Sequence, residues 1–307
     1  MIPVSLRQLG YFVAAAEAGT IAGAAASMHV SQSAIALAIG ELEKALAVQL
    51  FLRKKAKGLT ITTAGVSVLA DARSVLGHAD ELVESARSLG TRLTGRLAVG
   101  CFMTLAPFLL PAVLEGFAAQ HPDLELVFSE GSQIDLQKQL LNGETEVALL
   151  YALDLQPGIH HEVLYETQPY VLLPQHHPLT SQPSVDLNAL ADEPMIMLDY
   201  PPSMHYFTDL LASVGVTPRI RHTTASYETV RSFVARGLGY SLLIQRPASQ
   251  VSYEGLPLAH CRIDQDLPAM PVLLAWPEGA KLTRRASAFV ASCHEMFHAG
   301  PILPRTS

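Results

Sequence analysis

The sequence predicts a chain of the α + α/β class: a small helical N-terminal unit that ends in a β-hairpin, one long linking helix, and a C-terminal α/β domain with two lobes. Three observations predict it. Three short amphipathic stripes and a short strand occupy the first domain, an unbroken helical pattern follows, and short apolar strands then alternate with helices. We place the N-terminal unit at 1–63, the linking helix at 64–89, a hinge at 90–95 and the C-terminal domain at 96–301.

The N-terminal stripes predict three helices. Gly19 closes the first stripe, as a glycine at a helix C-terminus often does, and Ser31 is a suitable N-cap for the third. About three residues join the second and third helices, so the two must cross closely, and Ala24 and Ala25 permit that approach. This spacing is typical of a helix-turn-helix, although alanine-rich helices with short turns also occur in bundles that bind no nucleic acid.

A basic segment follows the third helix. It contains Arg53, Lys54, Lys55 and Lys57, and then Gly58 and an apolar stretch that predict a turn and a strand. A run of charge is usually a solvated face. Residues 1–63, however, hold six Lys or Arg against three Asp or Glu, a net charge of +3, which leaves −10 for the rest of a chain whose total is −7. A basic N-terminal unit, which we call the head, on an otherwise acidic chain favours contact of the head alone with a polyanion.

The N-terminal motifs resemble those of the LysR-type bacterial transcriptional regulators. The matching residues are Val30-Ser31-Gln32, Leu42-Glu43, Leu50-Phe51, Arg53, Leu59-Thr60 and Ala64-Gly65. The resemblance extends over nearly the whole chain and implies a DNA-binding regulator with double-stranded operator or promoter DNA as its partner. The residues expected to contact DNA are Ser31, Gln32 and Ser33 on the third helix and Arg53, Lys54, Lys55 and Lys57 on the hairpin, which would be the wing. Family members often carry Ser and Arg where this chain has Ala36 and Leu37, so few side chains remain to read bases.

The pattern over 64–89 predicts one long helix with an apolar stripe. Its spacings alternate between three and four residues, as in a coiled coil. The stripe has two interpretations, a core helix of the C-terminal domain or a linker helix that pairs with a second copy. The resemblance favours the second interpretation, with Val68, Leu76 and Val83 buried between chains of a homodimer or homotetramer.

From residue 96 the pattern predicts parallel strands connected by helices. The order suggests lobe I at about 96–166 and 268–301 and lobe II at about 167–267, with two crossovers near 166–169 and 267–271. It resembles the effector domain of the same regulators, which shares the fold of type 2 periplasmic binding proteins. The GLGYSLL segment at 237–243 matches a signature of that domain.

Ligands of open α/β sheets bind beyond the carboxyl ends of strands, where helices begin. Helix N-termini favour anions, so a small carboxylate is the first candidate for an effector. The serines at these positions could equally be ordinary N-caps, and Cys101 could be an oxidant sensor or a buried small residue. The candidate effector-binding residues are Cys101, Thr104, Ser132, Tyr151, Ser203, His205, Arg221 and Thr223.

Composition and the absence of certain motifs argue against several classes of protein, namely disordered proteins, membrane proteins and enzymes. The sequence is 49% hydrophobic and 16% charged, which is typical of a globular protein and not of a disordered one. We expect neither a signal peptide nor a membrane span, because the N-terminus leads directly into the first amphipathic helix and no apolar run reaches about 18 residues. Three scattered cysteines suit a reducing cytoplasm. Without GxSxG, P-loop or HExxH motifs we expect no enzyme, and we expect no metal or other cofactor. The alternative function is a cytoplasmic solute-binding or redox sensor whose head docks a protein.

Overall fold

The structure, a computed structural model, describes residues 3–54, 58–87 and 92–298. The N-terminal head, which precedes the long helix, holds three helices and an antiparallel two-stranded wing, as the sequence predicts. The elements of the head and the long helix are α1 (Leu6–Ala18), α2 (Ile21–Ser27), α3 (Gln32–Leu46), β1 (Phe51–Lys54), β2 (Gly58–Ile61) and α4 (Thr63–Arg87).

Capping residues define the ends of the head helices. The Ser5 hydroxyl accepts from the Gln8 N–H at 3.2 Å, and Gln8 Oε1 accepts from the Ser5 N–H at 2.9 Å, which forms a capping box at the start of α1. Gly19 ends α1 with φ 63°, in the left-handed region. The Ser31 hydroxyl accepts from the Ala34 N–H at 3.1 Å and starts α3. Both predicted caps are confirmed.

The head has its own apolar core. Phe12 and Ile35 are fully buried, and the Phe51 ring packs edge-on against Phe12 with 5.4 Å between ring centroids. Ala24 and Ala25 are buried where α2 crosses its neighbours, because larger side chains there would hold the helices apart. The wing therefore packs onto the same core as the helix-turn-helix.

The C-terminal domain follows α4. Two 3-10 helices, Pro178–Ser181 and Leu187–Leu190, lie between its fifth and sixth strands. Its other elements are β3 (Gly95–Phe102), α5 (Ala106–Gln120), β4 (Leu124–Gly131), α6 (Gln133–Leu141), β5 (Val147–Tyr151), β6 (Ile159–Thr167), β7 (Tyr170–Pro174), β8 (Pro194–Leu198), α7 (Ser203–Ser213), β9 (Arg219–Thr224), α8 (Tyr227–Ala235), β10 (Ser241–Leu243), β11 (Leu258–Cys261), β12 (Met270–Pro277) and α9 (Arg284–His298).

The strands form two lobes. In the first lobe the order is β4-β3-β5-β12-β6. In the second lobe, the sheet β10-β7-β11 adjoins the pair β8-β9 through a parallel bridge between Met195 and Tyr240. The chain enters the second lobe between β6 and β7 and returns between β11 and β12. These passages lie where the sequence predicts the two crossovers.

The prediction that the strands are parallel is wrong for part of each sheet. β12 runs antiparallel to both β5 and β6, and β7 runs antiparallel to both β10 and β11. A strand that returns from the other lobe enters its sheet from the opposite end, which reverses its direction. The sequence analysis also missed β6, whose side chains are mostly exposed, and the short β11.

Gly239 in the GLGYSLL segment has a backbone conformation that brings β10 close to β8. Its φ is 154°, and a Cβ at this position would lie 2.1 Å from the carbonyl oxygen of Pro194. The Tyr240 N–H donates to that same oxygen at 3.0 Å. A glycine at this position therefore lets the two strands meet.

The described residues also bear on two other classes of protein, membrane proteins and metalloproteins. No single helix there is long and apolar enough to span a membrane; α1 and α2 together meet that test of length and composition, but they are bent by 119° at their junction. Across the same residues, no three His, Cys, Asp or Glu side chains are grouped to hold a metal ion.

Candidate functional site

The N-terminus of α3 presents the three predicted DNA-contacting residues of that helix. Ser31, Gln32 and Ser33 are all exposed. Ser31 is used as the cap, and its hydroxyl is 2.9 Å from that of Ser33. Gln32 makes no side-chain hydrogen bond to any other residue that the structure describes. Its amide is therefore the group at this helix end that is available for a bidentate contact with a base edge.

The wing is held beside α3 by one carboxylate. Glu43 Oε1 accepts from the backbone N–H groups of Leu50 at 2.8 Å and Phe51 at 3.2 Å, where β1 begins. On the other strand, the Leu59 N–H donates to the Gly19 carbonyl at 2.8 Å. These bonds fix the base of the hairpin against the helices.

The four predicted wing cations are only partly covered by the described residues. Arg53 and Lys54 are the last two residues of β1, and their backbones pair with Leu59 and Gly58. Lys55 and Lys57 lie outside the described residues.

The helix α4 contacts the head of its own chain. Leu69 and Ala72 are buried in the head core, and Val68 and Leu76 pack against it partly buried. Two of the three predicted dimer residues, Val68 and Leu76, therefore meet α1 and its neighbours, because α4 crosses α1 over its first turns. Val83, the third, is 48% exposed.

The exposed apolar residues of α4 lie mostly toward its C-terminal half. Val75 is 46% exposed and Leu82 is 72% exposed, and Val83 adjoins Leu82. Positions 75 and 82 are seven residues apart, so they share one face of the helix. Val68 lies seven residues before Val75 on the same face, so the head covers the start of this face and leaves Val75 and Leu82 exposed.

Arg73 joins the head, α4 and the first lobe. Its Nη2 donates to Glu17 Oε1 on α1 at 3.0 Å, and its Nη1 donates to the Asn142 carbonyl, just after α6, at 2.7 Å. Glu144 Oε1 lies 3.6 Å from the same guanidinium. Because the Arg73 side chain is only 13% exposed, these contacts are shielded in part from solvent.

A cavity lies between the lobes, at the strand ends where the sequence predicts a ligand. Thr104, Tyr151 and Ser203 are the predicted residues that line it. The remaining lining residues are Leu153, Leu198, Pro202, Tyr206, Phe207, Tyr227, Leu243, Ile244 and Gln245. Its empty volume is about 360 Å³, but the centres of water molecules can occupy only about 20 Å³ of it. That is room for about one or two waters, so this conformation is nearly closed.

Gln245 connects the two lobes inside the cavity. Its Nε2 donates to the Tyr151 hydroxyl at 3.0 Å, and its backbone carbonyl accepts from the hydroxyls of Tyr170 at 3.1 Å and Tyr227 at 2.5 Å. Gln245 is 1% exposed, yet its Oε1 has no hydrogen-bond partner among the described residues, and neither has the Tyr206 hydroxyl. The cavity thus holds two buried polar atoms without a hydrogen-bond partner among the described residues, which is uncommon in proteins.

Half of the residues that line the cavity are apolar, and none of them carries a charge. Burial raises the pKa of Tyr206 to about 12, and burial also raises the pKa of Tyr151 against the opposing effect of its hydrogen bond from Gln245. Both phenols therefore stay protonated at neutral pH. None of the lining residues is Lys, Arg, His, Asp or Glu.

Five predicted effector residues do not line the cavity. Cys101 is fully buried in the first lobe and donates to the Phe102 carbonyl, with 3.7 Å between sulfur and oxygen. Ser132 caps α6: its hydroxyl accepts from the Asp135 N–H at 3.1 Å and donates to the Asp135 carboxylate at 2.6 Å. These two residues act in the core and as a cap, the other roles that the sequence analysis left open.

The other three, His205, Arg221 and Thr223, are exposed. His205 lies two residues after Ser203 on α7, about 200° around the helix, whereas Tyr206 and Phe207, three and four residues after Ser203, share its face. Arg221 and Thr223 lie on β9, which pairs only with β8 among the described strands. The same i, i+3, i+4 spacing is the sequence signal that could have identified Tyr206. No sequence signal identifies Gln245.

Comparisons with known proteins agree for the head and for the C-terminal domain. The family model "Bacterial regulatory helix-turn-helix protein, lysR family" matches residues 6–66, and "LysR substrate binding domain" matches 90–298. The chain is similar to the HTH-type transcriptional regulator YvbU of Bacillus subtilis (strain 168), with 29% identity over 300 residues, 96% of this chain and 100% of that one. It is 31% identical over 255 residues to a hydrogen peroxide-inducible genes activator of Pectobacterium carotovorum subsp. carotovorum, covering 82% of each chain. Among solved structures, the LysR family transcriptional regulator HinK from Pseudomonas aeruginosa is 35% identical with a TM-score of 0.65, covering 96% of this chain and 98% of HinK.

Proposed function

The chain belongs to the LysR family of bacterial helix-turn-helix transcriptional regulators, and from that premise we propose that a small molecule bound between its two lobes switches its action on DNA. The observation that carries the proposal is the cavity that both lobes line. It holds two buried polar atoms, Gln245 Oε1 and the Tyr206 hydroxyl, without partners in the described chain. Both atoms belong to the second lobe, and Thr104 and Tyr151 line the cavity from the first lobe. A ligand that contacts both sets favours one interlobe angle.

The effector that suits this lining is a small uncharged molecule with hydroxyl or carbonyl groups. Gln245 Oε1 needs a donor, and the Tyr206 hydroxyl can donate or accept. The carboxylate that the helix N-termini suggest finds no cation in the cavity lining to pair with, and an unpaired buried charge is costly. Because the cavity is nearly closed, the lobes or the aromatic side chains must move before a ligand enters.

We further propose that the ligand binds without covalent chemistry. One relative is named for hydrogen peroxide, and cysteine oxidation requires an accessible thiolate. In this chain Cys101, Cys261 and Cys293 are all buried, and burial raises the pKa of each thiol, that of Cys293 to about 12. These thiols are shielded and protonated, which argues against peroxide sensing by any of them.

The signal would reach the head through the first lobe and α4. Arg73 contacts the first lobe at Asn142 and the head at Glu17, so a shift of that lobe changes both contacts. A ligand shifts the equilibrium only by its differential affinity for the two states. We expect a coupling free energy of about 1–3 kcal/mol, as is typical of allosteric pairs.

On the DNA side, we propose that Gln32 reads a base and that the wing binds phosphates. Gln32 is exposed at the start of α3, while Ser31 is used as a cap. The wing cations are Arg53, Lys54, Lys55 and Lys57. With so few base-reading groups, much of the affinity would come from the DNA backbone and from DNA shape. Membership of a family of transcriptional regulators favours DNA over a protein as the partner of the head.

The experiment compares variants of the full chain in a ligand screen. A thermal-shift screen over neutral hydroxylated compounds and small carboxylates identifies ligands, and fluorescence anisotropy with a labelled duplex then measures their effect on DNA binding. We expect hits among the neutral compounds. Tyr206→Phe should weaken a hit by about 3- to 10-fold, since a neutral hydrogen bond contributes about 0.5–1.5 kcal/mol.

The control lies on the same helix. His205→Ala changes an exposed residue of α7 and should respond to the ligand as the parent does. Tyr206→Phe should not destabilise the fold, because the hydroxyl it removes has no partner in the described residues. If Tyr206→Phe and Thr104→Val both respond as the parent does, the ligand binds elsewhere and the assignment is wrong.

A further inference from the structure

A second and larger opening lies on the other side of Gln245. We call it the crossover groove; its walls come from residues 165–169, 244–246 and 259–267, with further residues from the loop after β7. It offers about 1230 Å³ to the centres of water molecules, against about 20 Å³ in the interlobe cavity. Gln245 lines both spaces. Unlike the cavity, the groove contains cationic side chains.

Arg246 is the central cation of the groove. Its guanidinium carbon lies 4.7 Å from the centroid of the Tyr170 ring, and the side chain is half-buried. It makes no hydrogen bond or ion pair with any other residue that the structure describes. Burial lowers the pKa of this guanidinium, nearby Tyr170 and Cys261 oppose that shift, and Arg262 adds to it. A partly desolvated cation without an anionic partner is costly, which points to a partner that is not part of the chain.

His260 adds a neutral donor beside Arg246. Its ring centroid is 5.0 Å from that of Tyr170, and its Nε2 lies 3.3 Å from Nη1 of Arg231. Because a guanidinium only donates, Nε2 must accept, and the proton of the neutral ring is then on Nδ1. Burial, followed by Arg231 and Arg246, lowers the pKa of His260 to about 4, so the ring stays neutral near pH 7.

Arg231 is not available to a ligand. It is 2% exposed and is fully engaged with the Glu228 carboxylate and with the carbonyl oxygens of Ser249 and Val251. The groove also holds three acids, Glu166, Asp264 and Asp266. Among the described residues, none of these acids lies within ion-pair distance of Arg246 or Arg262. Neither arginine is therefore in an ion pair with an acid that the structure describes, although the three acids outnumber the two arginines across the groove.

We propose that Arg246, His260 and Arg262 form a second binding site, for a small oxyanion that carries a carboxylate or a phosphate group. The Arg246 fork supplies paired N–H donors for two oxygens, His260 supplies Nδ1–H, and the exposed Arg262 adds charge. This site is separate from the interlobe cavity and does not depend on the effector proposed for it.

The two sites are adjacent through Gln245. The Gln245 side chain lines the cavity, its backbone carbonyl holds Tyr170, and the next residue, Arg246, lies over the Tyr170 ring. An anion that moves Arg246 therefore acts on the same backbone that positions Gln245. Occupation of the groove would consequently bias ligand binding in the cavity.

The test titrates the full chain with inorganic phosphate and, separately, with succinate, at constant ionic strength. We expect a saturable rise in the melting temperature of the parent, and the stronger of the two probes identifies the anion class. Arg246→Gln should weaken the response at least about tenfold, as loss of a bidentate charged contact does. Arg262→Gln should weaken it less, which provides a second variant if Arg246→Gln does not fold.

Two controls make the test decisive. Arg221→Gln removes an exposed cation from β9 in the same lobe and should bind both probes as the parent does. Tyr206→Phe alters the cavity and should leave the anion response intact. The proposal is overturned if the parent shows no saturable response, or if Arg246→Gln and Arg262→Gln both bind the probes as the parent does. It is also overturned if Arg221→Gln weakens binding as much as Arg246→Gln does, or if Tyr206→Phe abolishes the response.

Discussion

Removal of the Glu43 carboxylate should detach the wing from the helix-turn-helix. Glu43 Oε1 accepts from the N–H groups of both Leu50 and Phe51, at 2.8 and 3.2 Å. Leu50 is fully buried and Phe51 is 3% exposed, so water cannot readily replace the acceptor. Glu43→Ala leaves two backbone donors without their partner at the point where β1 begins.

The magnitude follows from these two bonds. A hydrogen bond to a charged group contributes about 1.5–3 kcal/mol. Because one oxygen serves both donors and the second contact is long, we expect a combined loss of about 2–4 kcal/mol for local opening of the wing base. Each 1.4 kcal/mol is a factor of ten, so exchange protection of the Leu50 and Phe51 amides should fall by about 30- to 1000-fold. Glu43→Gln keeps a neutral acceptor and should lose less.

A matched control separates geometry from charge. Glu41 is exposed on the same helix and accepts from Gln8 Nε2 at 3.2 Å. Glu41→Ala and Glu43→Ala both remove one negative charge from the DNA-binding head, which favours binding to a polyanion. We therefore expect Glu41→Ala to bind a duplex as tightly as the parent or more tightly, and Glu43→Ala to bind it more weakly.

The assays are hydrogen exchange measured by mass spectrometry or NMR and fluorescence anisotropy at fixed salt. The reasoning is refuted if Glu43→Ala keeps parental protection at Leu50 and Phe51. It is also refuted if Glu43→Ala binds DNA as tightly as Glu41→Ala, since the carboxylate would then contribute charge and no geometry.

Two further predictions concern DNA and assembly. Gln32→Ala should lose about 1–3 kcal/mol of discrimination at one base pair. Arg53→Ala should instead weaken binding to all duplexes and lower the slope of log affinity against log salt concentration by about one unit. Fluorescence anisotropy over a salt series checks both variants, and an equal loss of affinity of Gln32→Ala for every sequence would contradict base reading. Leu82→Glu combined with Val83→Glu places charges on the exposed apolar face of α4 and should give a smaller species in sedimentation than the control Asp80→Asn. A double variant that sediments like the parent would show that this face joins no second chain.

Much of the architecture is encoded in short segments of the sequence. Gly19 and Ser31 act as the caps that their residue types predict, because capping involves only residues a few positions apart. The helices of the head and the long helix likewise follow from periodicity, and the two crossovers follow from the order of strands and helices. The direction of β12 does not, since it depends on which end of the first sheet the returning chain reaches.

The candidate site likewise contains residues that the sequence predicts and residues that only the packed structure brings there. Thr104 and Tyr151 could be placed near one another because they follow strands of one sheet, whose carboxyl ends share one edge, and Ser203 follows a strand end of the facing lobe. The rule for strand ends says nothing about side-chain direction, and for that reason the sequence predicts a ligand contact at Arg221, which is exposed on β9.

Contacts between elements far apart in sequence required the packed structure. Val68 and Leu76 fit a coiled-coil stripe, yet they pack on the head because α4 crosses α1. Gln245 lies at the lobe interface, 94 residues from Tyr151 to which it donates a hydrogen bond. Periodicity and capping act over a few residues, whereas such contacts are set by how whole lobes pack, and no local pattern carries that information.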